Sequence, residues 1–399
     1  MKPQSYSNSV FNWIPAILLI LVFSCSESSD PDPIPPTDNT QEDIAVIDQK
    51  IEAVLITHKI PGATLAISKN GKLVYKMPYG LANVETNENM TNEHRMRVAS
   101  VSKTFTGLAI MKLVQDGKIS LDDKVFGPGT ILGTTYGTKA YSDRVNKVTV
   151  RHLLQMTTGG WVVAGNRDAI DSQSTLTNDQ FFSWMMDNAT LTFEPGSQYF
   201  YVNTNYFVAA RVVEKVSGKS FYQYMKESFI DPLGLQSAVM AKNGVAGKQA
   251  NEVTYYGQGG TKGFEYNNLN IERRDADAGM VINAVDLLKF SLAIDGNSSR
   301  PDVLNSTIFA QFVQGSTAYQ GFGNGIITWN SVRYFYGALP GTRSSFMYHI
   351  SNGMAVALIF NGNADYTSNT YNNFAIAHQN LLLDLLNNNL DVYKDIDQF

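Results

Sequence analysis

The sequence predicts a mixed α/β (α+β) fold. One antiparallel sheet is built from both chain ends and flanked by helices, with a mostly helical region inserted at about residues 100–290. Three observations predict it. Strand signals cluster at residues 63–75 and again at 325–360. Between the clusters the apolar spacing is helical and the loops are long. Helical spacing also lies outside both clusters, at residues 44–58 and 372–386.

The first helix, residues 44–58, carries Ile47, Ile51, Val54 and Leu55 at helical intervals, and Pro61-Gly62 breaks it. Residues 63–68 and 73–75 read as strands joined by Asn70-Gly71. That pair favours a two-residue hairpin turn because both residues tolerate positive φ. Residues 101–115 are apolar almost all round, as a buried helix would be, and Gly117 closes it. A further helix covers residues 206–216 and stops at Gly218. Strands return at residues 325–328, 334–335, 345–350 and 354–360, and residues 372–386 form a closing helix. No internal repeat is present.

Composition narrows the function. Apolar residues make up 44% of the 399 and charged residues 17%, which suits a large core under a neutral surface. The net charge is −5, and the only basic cluster, Arg273-Arg274, is followed by Asp275 and Asp277. No nucleic-acid partner is expected. The single cysteine, Cys25, permits no intrachain disulfide. It follows an apolar run at residues 14–23, too short to span a bilayer, which needs about 20 residues. Val22-Phe23-Ser24-Cys25 resembles a bacterial lipobox, so residues 1–24 read as a lipoprotein signal peptide and Cys25 as the lipidation site. Residues 25–42, rich in Pro, Ser and Asp, read as a disordered tether, and residues 43–399 as the folded domain. The expected location is the bacterial cell envelope, periplasmic or at the surface, with membrane contact through the anchor only.

Ser100-Val101-Ser102-Lys103 is the only Ser-x-x-Lys in the chain. On a helix that spacing puts both side chains on one face, one turn apart. A desolvated lysine loses its proton near neutral pH, and a serine needs such a base to become a nucleophile. The pair is therefore a minimal acylation device. The five histidines, His58, His94, His152, His349 and His378, are scattered without His-Glu-x-x-His spacing, so neither zinc nor any other cofactor is expected. His152 reads as structural. A Ser-His-Asp triad is not excluded, although no Gly-x-Ser-x-Gly elbow is present. Gly257-Gln258-Gly259-Gly260 lies in a polar loop and reads as a flexible rim rather than a phosphate cradle.

Further segments flank that motif in order. They are Ile60-Pro61-Gly62-Ala63, Asn70-Gly71-Lys72, Tyr79-Gly80, residues 148–154 with Thr157-Thr158-Gly159, Phe193-Glu194-Pro195-Gly196, Tyr201-Val202-Asn203 and residues 231–235. Together with Ser100-Val101-Ser102-Lys103 they resemble the serine β-lactamase-like and penicillin-binding-protein superfamily. The likeness is greatest to its D,D-carboxypeptidase, class C β-lactamase and esterase branch, over about residues 43–390. The resemblance implies a β-lactamase/transpeptidase-like fold. It implies that Ser100 is acylated, that Lys103 and Tyr201 carry protons, and that Asn203 holds the substrate amide and orients Lys103. Its implied substrates are D-amino-acid or peptidoglycan-type peptides, small esters or β-lactams. A phenol whose pKa is lowered by a neighbouring ammonium would serve as a base. Tyr201 is chosen over other Tyr-x-Asn matches because it lies roughly a hundred residues past the serine and follows a Pro-Gly turn, as in the family.

The third family motif, Lys-Thr-Gly or His-x-Gly, has as its best match Phe335-Tyr336-Gly337, followed by Ala338. The resemblance implies that Gly337 lets the strand approach closely and that the Ala338 N–H joins the Ser100 N–H in an oxyanion hole. The basic residue of the motif falls on Phe335. This tilts the reading towards an esterase or peptidase of relaxed carboxylate demand. Arg343 is the proposed substitute for the carboxylate contact. The alternative is a catalytically weak or inactive lipoprotein that binds cell-wall fragments or glycans. The expected partner is a small-molecule or peptide substrate, and nothing in the sequence fixes an oligomeric state.

Overall fold

The computed structural model describes residues 44–257, 269–297, 299–364, 369–388 and 391–399. Cys25, the signal segment and the tether lie outside these residues, as does most of the glycine-rich rim. Among the described residues, seven strands form one antiparallel sheet. Their order is Ile327–Trp329, Val332–Leu339, Thr342–His349, Met354–Phe360, Gly62–Lys69, Lys72–Asn83, Glu88–Asn89. Gly62–Lys69 pairs with Met354–Phe360, from Ala63 opposite Phe360 to Lys69 opposite Met354. The two ends of the chain thus meet at the middle of the sheet.

Local sequence explains most of these elements. Asn70 and Gly71 take φ of 51° and 77°, as a tight hairpin turn requires. Lys72–Asn83 runs far beyond the residues expected as strand. Pro78 and Gly80 obscure its signal, yet among the described residues another strand pairs with its outer side at Leu81 and Asn83 and not at Pro78, and such a near-edge strand tolerates proline. Gly62–Ser68 and Met354–Phe360 are buried at every position because both faces of the sheet are covered.

On one face, Leu65, Ile67, Val356, Leu358 and Phe360 share a core with Ile47, Ile51 and Leu55 of the Ala45–His58 helix. Phe374, Leu382 and Leu385 of the closing Asn369–Asn387 helix complete it. On the other face, Ala66, Ala357, Ile359 and Phe346 meet the inserted region. There Phe105 of the Ser102–Gln115 helix stacks on Phe290 of the Ala284–Leu292 helix, with centroids 3.6 Å apart. The Thr204–Ser217 helix ends at Gly218, whose φ of 70° supplies the left-handed cap. A short ribbon pairs Met96–Arg97 and Val239–Met240 with Met280–Ile282. It ties the segment before Ser100 to the segment around Asp277.

Candidate active site

Ser100 sits in a 3-10 turn, Ala99–Val101, that leads into the Ser102–Gln115 helix. Ala99 is buried and takes φ of 47°, a left-handed conformation that alanine adopts only when its surroundings impose it. Those surroundings are visible. The Val98 N–H donates to the Met280 carbonyl at 2.9 Å, and the Val98 carbonyl accepts from Ser344 Oγ at 2.7 Å. The Met280 N–H in turn donates to Ser102 Oγ at 3.0 Å. The turn is therefore clamped between the sheet and the ribbon.

One helical turn on, Lys103 is fully buried. Its Nζ lies 2.9 Å from Ser100 Oγ and donates to the Asp277 carbonyl at 3.0 Å. Burial lowers its pKa to about 7, against the opposing pull of the Asp277 carboxylate. The Lys103 amine is thus partly neutral at neutral pH and can accept the serine proton.

The Tyr201 hydroxyl stands 3.1 Å from Ser100 Oγ. Its ring lines the open side of the site, 41% exposed, with Lys103 Nζ 5.0 Å from the centroid. Two anchors place it. The Phe200 N–H donates to the Met156 carbonyl at 2.8 Å, and Val202 is buried. Behind it, the Asp168 carboxylate accepts from the Asn203 N–H and from the Thr204 hydroxyl. Asp168 thereby caps the Thr204–Ser217 helix from another segment. Burial, reinforced by the neighbouring Asp171, raises the Asp168 pKa to about 6.

The strand Val332–Leu339 closes the far side. A Cβ on Gly337 would come 2.0 Å from the Val98 carbonyl oxygen and 2.4 Å from Ser344 Oγ, so only glycine permits this approach. Leu339 and Thr342 flank a two-residue hairpin turn and form a hydrogen-bonded pair by the usual alternation. By the same alternation Ala338 opposite Arg343 is a non-bonded pair, so its N–H points away from Thr342–His349. On that outer side Ile327–Trp329 covers Val332–Tyr334, and among the described residues no strand pairs there with Ala338. Phe335 is buried with its ring 5.8 Å from Phe322, which meets the Tyr201 ring edge-on at 6.4 Å. Where the family motif has a cation, this chain has an aromatic wall running up to Tyr201.

A family model described as beta-lactamase matches residues 47–381. The chain belongs to the beta-lactamase family. Among curated members of the family, it is 29% identical to Protein flp of Staphylococcus aureus (strain MW2) over 56% of this chain and 43% of that one. It is 27% identical to the D-aminopeptidase of Brucella anthropi over 49% of this chain and 36% of that one. The chain thus spans less than half the length of these relatives. Among solved structures, the octameric penicillin-binding protein homologue from Pyrococcus abyssi superposes with a TM-score of 0.66 at 26% identity, over 86% of this chain and 78% of that one. EstCE1, a hydrolase with promiscuous acyltransferase activity, gives 0.65 at 22% over 85% and 98%, and shares the fold.

Set against the expectations for this beta-lactamase-family chain, the structure brings Ser100, Lys103, Tyr201 and Gly337 together and corrects three points. Arg343 does not face the site. It lies on the opposite face of the sheet, buried, with Nε donating to His378 Nδ1 at 3.1 Å and its guanidinium over Tyr371 and Phe374. Neighbouring side chains alternate across a strand, and Ser344 takes the site face. The Tyr201 pKa is raised, not lowered, because desolvation of the hydroxyl outweighs the help of its neighbours. And the hydrogen bonds of the Lys103 amine go to Ser100 and the Asp277 carbonyl, with no bond from the Asn203 side chain among the described residues. His152 is structural: with Thr149 it forms a reciprocal cap on the Val150–Leu154 helix. Sequence reading missed Asp168, Arg274 and Asp277. The last two were in plain view in Arg273-Arg274-Asp275-Ala276-Asp277, charges beside the apolar residues 278–282.

Proposed function

We propose that this chain is a serine hydrolase acting through a Ser100 acyl-enzyme on amides or esters that carry no required carboxylate. The observation that carries the reading is Ser100 Oγ set between Lys103 Nζ at 2.9 Å and the Tyr201 hydroxyl at 3.1 Å. Neutral Lys103 accepts the Ser100 proton as Oγ bonds to the substrate carbonyl carbon. The N–H groups of Ser100 and Ala338 hold the resulting oxyanion. Tyr201, protonated in the free enzyme, donates to the leaving nitrogen or oxygen, and the Lys103 ammonium returns a proton to Tyr201. The products are the Ser100 ester and the freed amine or alcohol. Water then attacks the ester by the reverse proton path. Asn203 remains a substrate contact in this scheme rather than an orienter of Lys103.

Phe335 at the position of the family's cation supports neutral acyl groups over substrates bound by a terminal carboxylate. Small esters and amides of D-amino acids fit this position better than β-lactams. The lipobox-like sequence before Cys25 supports work at the cell envelope on a lipid anchor.

The test is intact-mass analysis after mixing the folded domain with an activated acyl ester, beside Ser100→Ala. A transient adduct on the wild type, absent in the variant, is expected. No adduct and no product would leave a tethered binding protein, the reading that the missing cation at Phe335 favours.

A further inference from the structure

The buried charges beside Lys103 have no role in the scheme above. Asp277 Oδ2 accepts from Arg274 Nε at 2.7 Å and Nη2 at 2.6 Å, and Arg274 Nη1 donates to Asp171 at 3.0 Å. Both members of the Arg274–Asp277 pair are buried. A buried pair stabilises a fold little, since removing two charges from water offsets most of their attraction. Its position is more informative. The main chain of Asp277 holds the Lys103 amine, and its carboxylate Oδ2 lies 4.0 Å from Nζ. Asp277 Oδ1 is buried without a hydrogen-bond partner among the described residues.

We propose that Arg274 and Asp277 are positioning residues for Lys103: the pair holds the amine against Ser100 and governs when that amine carries a proton. The amine lies against Ser100, Asp277 and the rings of Tyr201 and Tyr206, and its charge also feels Arg274 and the Asp168 and Asp171 carboxylates. Burial drives the amine neutral. Asp277 opposes that most strongly, and Arg274 is next, with the opposite sign. The two halves of one ion pair therefore pull Lys103 in opposite directions. As a role in catalysis this rests on the Ser100 acyl-enzyme reading, but its measurement does not.

The experiment is NMR titration of the folded protein labelled with ¹³Cε-lysine, from about pH 5 to about pH 10, which brackets a desolvated lysine. Lys103→Arg assigns the signal. Asp277→Asn should lower the Lys103 midpoint by about one to three units, leaving Arg274 uncompensated. Arg274→Gln should raise it by a similar amount, and Arg274→Lys should bring it back. If Asp277→Asn does not fold, Asp171→Asn replaces it and must also lower the midpoint. Midpoints that coincide with the wild type, or that move the same way in both halves of the pair, overturn the proposal. Opposed midpoints with no acyl adduct on the wild type would keep the positioning role and sink the hydrolase reading. An adduct with unmoved midpoints would do the reverse.

Discussion

Lys103 is fully buried, and an ammonium there loses hydration that two hydrogen bonds replace only in part. Its pKa of about 7 has a direct sign in kinetics. The base must be neutral, so the rate of acylation should rise with pH through about 7 and level off above it. Single-turnover acylation across that range checks this, and a flat profile would remove Lys103 as the base. Lys103→Ala should cost about 10²- to 10⁴-fold in the same measurement. Phe335 makes a second residue-scale prediction. Phe335→Lys should improve kcat/KM for a carboxylate-bearing ester by about tenfold relative to its neutral analogue, the scale of one added charge-assisted contact. An unchanged ratio would mean that the aromatic wall does not set specificity. The nucleophile and its base could be found in sequence because their spacing, across the turn that opens the Ser102–Gln115 helix, is local. Asp277 was visible as a charge but not as a partner of Lys103, because that link runs through its main-chain carbonyl, 174 positions away.

Two elements hold the site open to substrate at fixed distance. The Val332–Leu339 strand approaches Val98 so closely that Gly337→Ala must push strand and nucleophile turn apart. We expect kcat to fall about 100- to 1000-fold as the Ala338 donor shifts, the usual loss for one oxyanion contact. A melting curve alongside kinetics separates that from unfolding. The Thr204–Ser217 helix depends on Asp168 in a similar way. Asp168→Ala should cost about 1 to 2 kcal/mol in chemical denaturation, as lost caps do, and should reduce kcat by loosening Tyr201. An unaltered kcat would show that Tyr201 is held by Phe200 and Val202 alone. Long elements were readable, residues 44–58 from their helical period and 354–360 from an unbroken apolar run. The ribbon of Met96–Arg97, Val239–Met240 and Met280–Ile282 was not, since strands of two or three residues carry no period to detect. The side chosen by Arg343 was also hidden, because it depends on the register of the whole hairpin.

At the scale of the molecule, the sheet separates two cores, and only one of them touches the site. Phe105→Ala should cost about 3 to 5 kcal/mol and lower both Tm and kcat, because Phe105 lies on the helix that carries Lys103. Leu382→Ala, on the far side, should cost about 2 to 5 kcal/mol and leave kcat within about twofold, since the site keeps its walls. Equal losses of activity would mean that the sheet transmits strain from one core to the other. The antiparallel sheet from both ends was predictable because each end carries its own strand signals. The pairing of Ala63 with Phe360 has a consequence for biosynthesis. Gly62–Lys69 leaves the ribosome well before its neighbour Met354–Phe360, the last long strand among the described residues. Until that late strand arrives, an apolar edge stands unsatisfied, open to wrong partners. The centre of the sheet therefore closes only after the whole inserted region has been made, and a nascent copy depends on whatever shields that edge in the interval.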